Sequence, residues 1–335
     1  MSEQAPNPAL SAPASPAPAS PRVSVLVLTK DEGANICQCL EGLLADGFSD
    51  DIVVLDSYST DKTVELARRY PNVRVQQRAF DTEYVQRNFG LHEIEYENPW
   101  VYICDADERV PPELKREIAL AVTAGLPSDG PERPVAYRLR YRNIFLGRWI
   151  KRSSGYPVWV IRLVQPAKVR YEVRATNVHP IVDGAVGSLR EHFVHYSFNA
   201  GLRRWFEKHN FYSDREAYEA VQVRKGGWPR LASLRSRDPI VRRRTFKNMS
   251  FFLRWRALWR FLYGYVMQRG FMDGSAGFHY CAMISMYEYW IELKIAEQER
   301  SWRGRNEQKV RALLGETEAH ARMSSGTPMS AEVGS

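Results

Sequence analysis

The sequence predicts an α/β fold: a Rossmann-like, mostly parallel sheet flanked by helices, with a helical extension at the C-terminal end. Three observations carry that expectation. Short apolar runs recur through residues 23–104, each separated from the next by a segment with helical spacing, and such alternation builds doubly wound parallel sheets. Polar or acidic residues close those runs, with Thr29, Asp56 and Asp105 each standing at the end of one. Beyond about residue 200 the alternation stops, and basic and large aromatic residues interleave instead.

The first run, Val23-Ser-Val-Leu-Val-Leu-Thr29, is too short for a membrane helix and reads as a central parallel strand. Residues 30–35 turn the chain, and 36–44 have helical spacing. A second strand over 51–55 ends in Asp56, and Ser57, Ser59, Thr60 and Thr63 offer caps for a helix over 64–70. Residues 72–76 read as a third strand, 82–96 as a helix carrying Arg87 and Asn88, and 100–104 as the fourth strand. Pro111 and Pro112 open the next helix, where proline is tolerated. Strand ends of a parallel sheet share one edge, so Thr29, Asp56 and Asp105 are expected to converge on one crevice.

Asp105, Asp107 and Glu108 put three carboxylates into four residues at the end of the fourth strand. Buried carboxylates are costly unless paired or bound to a cation. Oxygen ligands suit a hard divalent ion such as Mg²⁺ or Mn²⁺, which often bridges carboxylates to phosphates. The plainer reading is an acidic turn with Arg109 as its ion-pair partner. There is no glycine-rich dinucleotide fingerprint and no Walker-type loop, so phosphates are not held by a glycine nest. Strand-end carboxylates that hold a base and ribose, with a metal on the diphosphate, suit a nucleotide-sugar.

In 335 residues, 44% are hydrophobic and the formal net charge is +8. That composition supports a substantial core and favours a polyanionic partner: a nucleotide or an anionic membrane. No nucleic-acid module is visible, so nucleic acid is not expected. The four cysteines, Cys37, Cys39, Cys104 and Cys281, form no disulfide framework, so a reducing cytoplasm is the default. Residues 1–21 are expected to be a disordered Ala/Pro/Ser tail without signal-peptide character, and 303–335 a frayed, largely disordered tail.

The ordered motifs resemble the inverting family 2 glycosyltransferases with the GT-A fold, over about residues 22–200. They are Val27-Leu-Thr-Lys-Asp-Glu32, Val54-Leu-Asp-Ser-Tyr-Ser-Thr-Asp-Lys-Thr63, Gln86-Arg-Asn-Phe-Gly90 and Asp105-Ala-Asp-Glu-Arg109. Asp31 stands where asparagine is more usual. The last of these motifs, with His195-Tyr-Ser-Phe-Asn199, Asp273-Gly274 and Gly277-Phe278, is most similar to the lipopolysaccharide-core and exopolysaccharide subgroup. The resemblance implies that Asp56 contacts the base, that Thr29, Glu32 and Arg87 line the nucleotide pocket, and that Asp105 meets the ribose or metal-bound water. Asp107 would ligate the metal. Structural alternatives stand beside these roles: Thr29 ending a strand, Asp56 capping its own turn, Arg87 as a solvated charge.

An inverting transfer also needs a general base near the acceptor hydroxyl. Related sequences carry Val-His-Glu after the sheet, whereas this chain has Val178-His179-Pro180. Asp183 is the first substitute and Glu172 the second, with His179 a candidate metal or phosphate ligand. His192 and His195 read as packing positions.

Residues 136–143 alternate apolar or aromatic with basic side chains, giving a strand with one basic face, and 156–163 form another strand. Within the helical region 201–302, the basic and aromatic stretch 242–270 fits an amphipathic helix in a membrane interface. Residues 277–291 form a second apolar stretch, and charges interrupt both, so neither is expected to span. The alternative is an internal helical subdomain covering the sheet. The expected protein is a metal-dependent enzyme that transfers sugar from a nucleoside-diphosphate sugar to a glycan or lipid-linked acceptor. It is expected in the cytoplasm, on the anionic inner face of the plasma membrane. The rival readings are a non-catalytic scaffold on the same fold and a sugar nucleotidyltransferase.

Overall fold

The computed structural model describes residues 23–124, 132–173, 178–236 and 239–300. The two expected tails, 1–21 and 303–335, lie outside the described residues.

Four parallel strands come first. β1 (Ser24–Thr29) lies between β2 (Ile52–Asp56) and β4 (Val101–Asp105), with β3 (Val73–Gln77) outside β2. Three helices connect them: α1 (Ile36–Leu44), α2 (Thr63–Ala67) and α3 (Glu83–His92). Alternation along β1 sends Val25 and Val27 into one apolar layer with Ile36 and Leu40 of α1, and Leu26 into the other with Tyr84 and Leu91 of α3. Both faces are covered, which is why the strand reads as an unbroken apolar run.

Gly90 shows how closely α3 sits on β1. A β-carbon built there would lie 2.5 Å from Cδ2 of the fully buried Leu26. Gly90→Ala is therefore expected to cost about 1–3 kcal/mol through overpacking, read as a lower denaturation midpoint.

At the opposite edge from the crevice, the buried Asp51 carboxylate accepts bonds from Ser24 Oγ, the Glu97 N–H (2.8 Å) and Arg74 Nη2 (2.6 Å). Burial works to raise its pKa; the Ser24, Glu97 and Arg74 bonds overcome this and hold the carboxyl below the usual aspartate value. With the folded-state pKa depressed, its stabilisation is complete above about pH 4 and is lost as pH falls through the folded value. Asp51→Asn should lower stability at pH 7, with a smaller deficit near pH 3, as followed by denaturant titration.

After β4 come β5 (Glu108–Arg109), α4 (Pro112–Ala124), β6 (Ala136–Phe145), β7 (Arg148–Trp149), β8 (Trp159–Val164), β9 (Val169–Tyr171), β10 (Pro180–Val182) and β11 (Val186–His195). The main sheet runs β3-β2-β1-β4-β8-β6-β11-β5, with β7 hairpinned onto β6. The expected parallel order holds from β3 to β4. Beyond it β8 is antiparallel to both neighbours, β6 and β11 are parallel, and β5 is antiparallel to β11. Because β5 follows β4 after Ala106 and Asp107, the path through β8, β6 and β11 returns to its start. The sheet is thereby curled around the Asp105–Glu108 turn, giving the GT-A arrangement that the motifs implied.

The C-terminal region forms α5 (Leu202–Lys225), α6 (Pro239–Ser250), α7 (Arg256–Leu262) and α8 (Gly274–Arg300). Ala217, Ala220, Phe251, Ile291 and Ile295 make a small core of their own, and Trp205, Ala276 and Met283 join Phe145 and Ile150 of the sheet domain. The carboxylate of Asp273 accepts from the N–H groups of Arg152 (2.8 Å) and Ser153 (2.7 Å), tying the start of α8 to the loop before β8. The helical pattern expected through 242–270 is interrupted: Trp255 takes a left-handed φ of 63° between α6 and α7. Among the described residues no helix is long and apolar enough to cross a membrane.

Candidate active site

Parallel register places Thr29 beside Asp56 and Leu28 beside Asp105, so the three strand ends do meet at one edge. Asp56 is fully buried and its oxygens are engaged by Thr29 Oγ1 (2.9 Å), the Ser59 N–H (2.8 Å), Ser59 Oγ and Gln77 Nε2 (3.2 Å). Here it caps its own turn and fixes Thr29, while Thr29 and Ser57 line the crevice. Asp31, with φ 53°, accepts from the Thr60 N–H at 2.6 Å and straps the turn after β1 to the turn after β2.

The crevice has a volume of about 1100 Å³. Its floor carries Glu32, Arg87, Asp105, Asp107 and His195. Asp105 accepts from Arg162 Nη2 at 2.6 Å and faces Arg87 at 3.7 Å. Burial pushes its carboxyl upward, but Arg162 and Arg87 prevail and keep it well below the usual carboxylate range. Arg162 also donates to Glu108, whose completely enclosed carboxyl is pushed up by burial to about 7. The curl of the sheet makes this contact possible, since β8 brings Arg162 to the strand that follows Asp107. Arg87 reaches Glu83 at 3.2 Å and lies over the Tyr171 ring at 5.4 Å, so it is a positioned charge and not a solvated one.

Asp107 Oδ2 is 3.2 Å from His195 Nε2. Burial alone would raise Asp107 and lower His195; their mutual hydrogen bond and charge reverse both directions. β11 sets this contact, because His195 pairs with Glu108 and the Tyr196 N–H donates to the Asp107 carbonyl at 2.8 Å. The sequence reading assigned His195 to packing. Its position two residues before Ser197, which bonds Asn143 of β6 at 2.7 Å, acquires meaning only once β11 lies beside β5.

α5 closes the crevice from the other side. Arg204 reaches the Lys30 carbonyl and stands 3.6 Å from Glu32 Oε1. Lys208 faces Asp107, Asp105 and Glu32; burial lowers its pKa, and Tyr212 with these carboxylates raises it above the ordinary value. Glu32 bonds Asn35 at 2.8 Å, and burial, aided by Asp107, raises its carboxyl. Neither Arg204, Lys208 nor Arg162 was singled out in the sequence, because nothing local marks a cation that meets its partner across the fold.

Three expected residues stay outside. Asp183 is 88% exposed and pairs with Lys168 at 3.4 Å. The Glu172 N–H donates to the His179 carbonyl at 3.1 Å across the β9–β10 hairpin, and His179 is exposed. None of the three lines the crevice. The hairpin pairs as a separate two-stranded sheet and is held to α3 by Asn88, which bonds Tyr171 through both side-chain ends.

Among the described residues no group of three or more His, Cys, Asp or Glu side chains is arranged to hold a cation. Asp107 and His195 nevertheless offer an oxygen and a nitrogen donor at the open edge. Mg²⁺ is commonly held by one or two carboxylates plus phosphate and water, a use that Asp107 fits, with the His195 imidazole beside it as a nitrogen donor once its proton is lost.

Residues 24–130 match the profile Glycosyl transferase family 2. The chain is 25% identical over 266 residues to an uncharacterised glycosyltransferase of Rickettsia prowazekii, covering 77% of this chain and 80% of that one. To an uncharacterised glycosyltransferase of Rickettsia felis it is 24% identical over 308 residues, 86% of this chain and 98% of the other. A similar solved structure is a mannosyltransferase from Pyrobaculum calidifontis in complex with GDP-Man and Mn²⁺, 15% identical, with 84% of this chain and 88% of that one covered at a TM-score of 0.45. The family 2 match over residues 24–130 and the Rickettsia relatives support a glycosyltransferase.

Proposed function

We propose that the protein is a metal-dependent, inverting glycosyltransferase that takes its sugar from a nucleoside-diphosphate donor, UDP-linked by the motif resemblance. The acceptor in this reading is a glycan or lipid-linked saccharide of cell-surface polysaccharide or lipopolysaccharide synthesis. One observation carries it: Asp105, Asp107 and His195 open onto a crevice whose other walls present Arg87, Arg204 and Lys208. Acidic groups for a cation, surrounded by cations for phosphate, are what a metal-bound diphosphate needs.

A divalent ion on Asp107 and His195 would stabilise charge on the departing diphosphate. Lys208 and Arg204 add fixed positive charge on the α5 side, and Arg87 adds it from α3. Asp105, kept ionised by Arg162, is free at its edge to accept from the ribose or a water. Glu32 and Glu288 are lining carboxylates whose proton affinity burial raises. Glu32 is the one facing Asp107, and it takes the base role in this reading, ahead of Asp183 and Glu172, which do not line the crevice. Glu32→Gln should cut turnover while leaving donor affinity near normal; weakened donor binding instead would return Glu32 to the nucleotide pocket.

The direct test is calorimetric titration with UDP-glucose, UDP-galactose, UDP-N-acetylglucosamine and GDP-mannose, each with and without Mn²⁺. Metal-dependent binding of one donor is expected, and silence from all four would favour the scaffold reading.

Membrane attachment belongs to the same proposal. Trp255, Leu258, Trp259, Tyr263, Val266 and Met267 recur at helical spacing and are all exposed, with Trp255 at 68% and Met267 at 74%. The opposite side of α7 is anchored inward, as Arg256 meets Glu288 at 2.6 Å. The exposed Arg254 and Arg269 flank the stripe. This supports peripheral seating on an anionic lipid surface. Flotation with phosphatidylglycerol vesicles should capture the protein, and Trp255→Ala with Trp259→Ala should release it.

A further inference from the structure

β6 and β8 carry a second built surface that the crevice does not use. Register pairs Arg140 with Trp159 on β8 and with His192 on β11, while Asn143 pairs with His195. Alternation therefore sets Arg138, Arg140 and Arg142 on one face, and Tyr141, Asn143 and His195 on the other. On the basic face, cations and rings form a ladder. Arg140 lies 5.0 Å from the Trp159 centroid and 5.9 Å from that of Tyr156. Arg142 lies 4.9 Å from the Trp149 ring and Lys151 5.1 Å from the same ring.

No carboxylate of the described residues forms an ion pair with Arg140, Arg142 or Lys151. The Nε atoms of Arg140 and Arg142 and the indole Nε1 of Trp149 are buried with no hydrogen-bond partner. After burial, the positive charges of Arg142 and Arg140 are what push the neighbouring His192 pKa down. Three cations without a counter-charge repel one another, and the rings, with the Arg190 carbonyl to which Arg140 Nη2 donates, only partly offset this. A planar guanidinium held on an aromatic face is preorganised for a carboxylate or phosphate, and Trp159, 41% exposed, leaves a flat apolar face open beside it.

We propose that this ladder binds an anionic saccharide, its carboxylate or phosphate groups on Arg140, Arg142 and Lys151 and a sugar face against Trp159. From Arg138 to Arg142 the strand spans about 13 Å at roughly 3.3 Å per residue. That length suits a few sugar units and is short for the several-nucleotide track of single-stranded nucleic acid. Assigning the bound saccharide as the acceptor rests on the glycosyltransferase reading; the binding itself does not.

The experiment titrates the full chain with trigalacturonate, glucose 6-phosphate, neutral maltotriose and hexathymidylate, following tryptophan fluorescence and heat. At least one of the two anionic saccharides should bind, and maltotriose should be silent at the same concentration. Arg140→Gln with Arg142→Gln should weaken that binding at least about tenfold, while Mn²⁺-dependent donor binding stays unchanged. Lys151→Gln, at an exposed loop position, supplies a second variant if the double substitution fails to fold, and it too should weaken binding. Silence from both anionic saccharides, undiminished binding in the variants, or tighter binding of hexathymidylate would overturn the proposal. Donor silence with saccharide binding intact would sink the donor reading and leave the ladder standing.

Discussion

Asp107→Asn should lower sugar transfer by about 10²–10³-fold, the cost of removing one preorganised charge from a transition-state site. The substitution keeps the size of the side chain and its place between Ala106 and Glu108, so the crevice walls remain. What it removes is the anionic donor 3.2 Å from His195. Calorimetry should then show donor binding that no longer responds to Mn²⁺. Near-normal turnover in Mn²⁺ would remove Asp107 from the metal role. His195→Gln tests the partner, and a matching loss of metal response is expected, because the two donors sit together only through β11.

Arg162→Met is expected to have the largest effect on stability. Arg162 is the shared cation of Asp105 and the buried Glu108, whose side chain is 1% exposed. Removing one partner of a buried pair strands the other, at about 3–5 kcal/mol. For a chain of this size that corresponds to a melting temperature lower by about 5–8 °C. Adding Glu108→Gln to Arg162→Met should recover part of the loss, because no buried charge is then left unpaired. A shift below about 2 °C for Arg162→Met would mean that water reaches Glu108 and that the enclosed pair contributes little.

The two substitutions separate chemistry from scaffold. Asp107 faces the open crevice, and its loss should spare the melting temperature. Arg162 does not line the crevice; its loss should lower stability first, and reduce donor affinity through Asp105.

Much of the first half of the fold was legible because its signals are local. β1, α1, β2, β3 and β4 begin and end within a few residues of the expected positions, and α4 begins at the expected prolines, since apolar runs, helical spacing and prolines act on near neighbours. Parallel register follows from that alternation, and with it the meeting of Thr29, Asp56 and Asp105 at one edge. The strand with one basic face was legible too, though not the rings that stack on it.

Tertiary structure alone decided the rest. Nothing in residues 186–195 announces that the strand will lie against β5 and carry His195 to Asp107. Arg162 reads as one more basic residue until the curled sheet encloses it with Glu108. α5 looked like the start of a separate region, yet Arg204 and Lys208 close the crevice from it. Conversely, Asp183 and Glu172 had suitable chemistry in a suitable stretch, yet on the β9–β10 hairpin neither lines the crevice. The sequence by itself determined the strand ends and their carboxylates, because a strand's period and its closing residue are fixed within a few bonds. Apart from Arg87, near in the chain to Asp105, the cations and the imidazole that meet these carboxylates come from distant positions: Arg162 to Glu108 is 54 residues apart and Asp107 to His195 is 88, and Arg204 and Lys208 come from α5 to Glu32 and Asp105. Pairings at such separations depend on how strands curl and helices fold back, which no local pattern encodes.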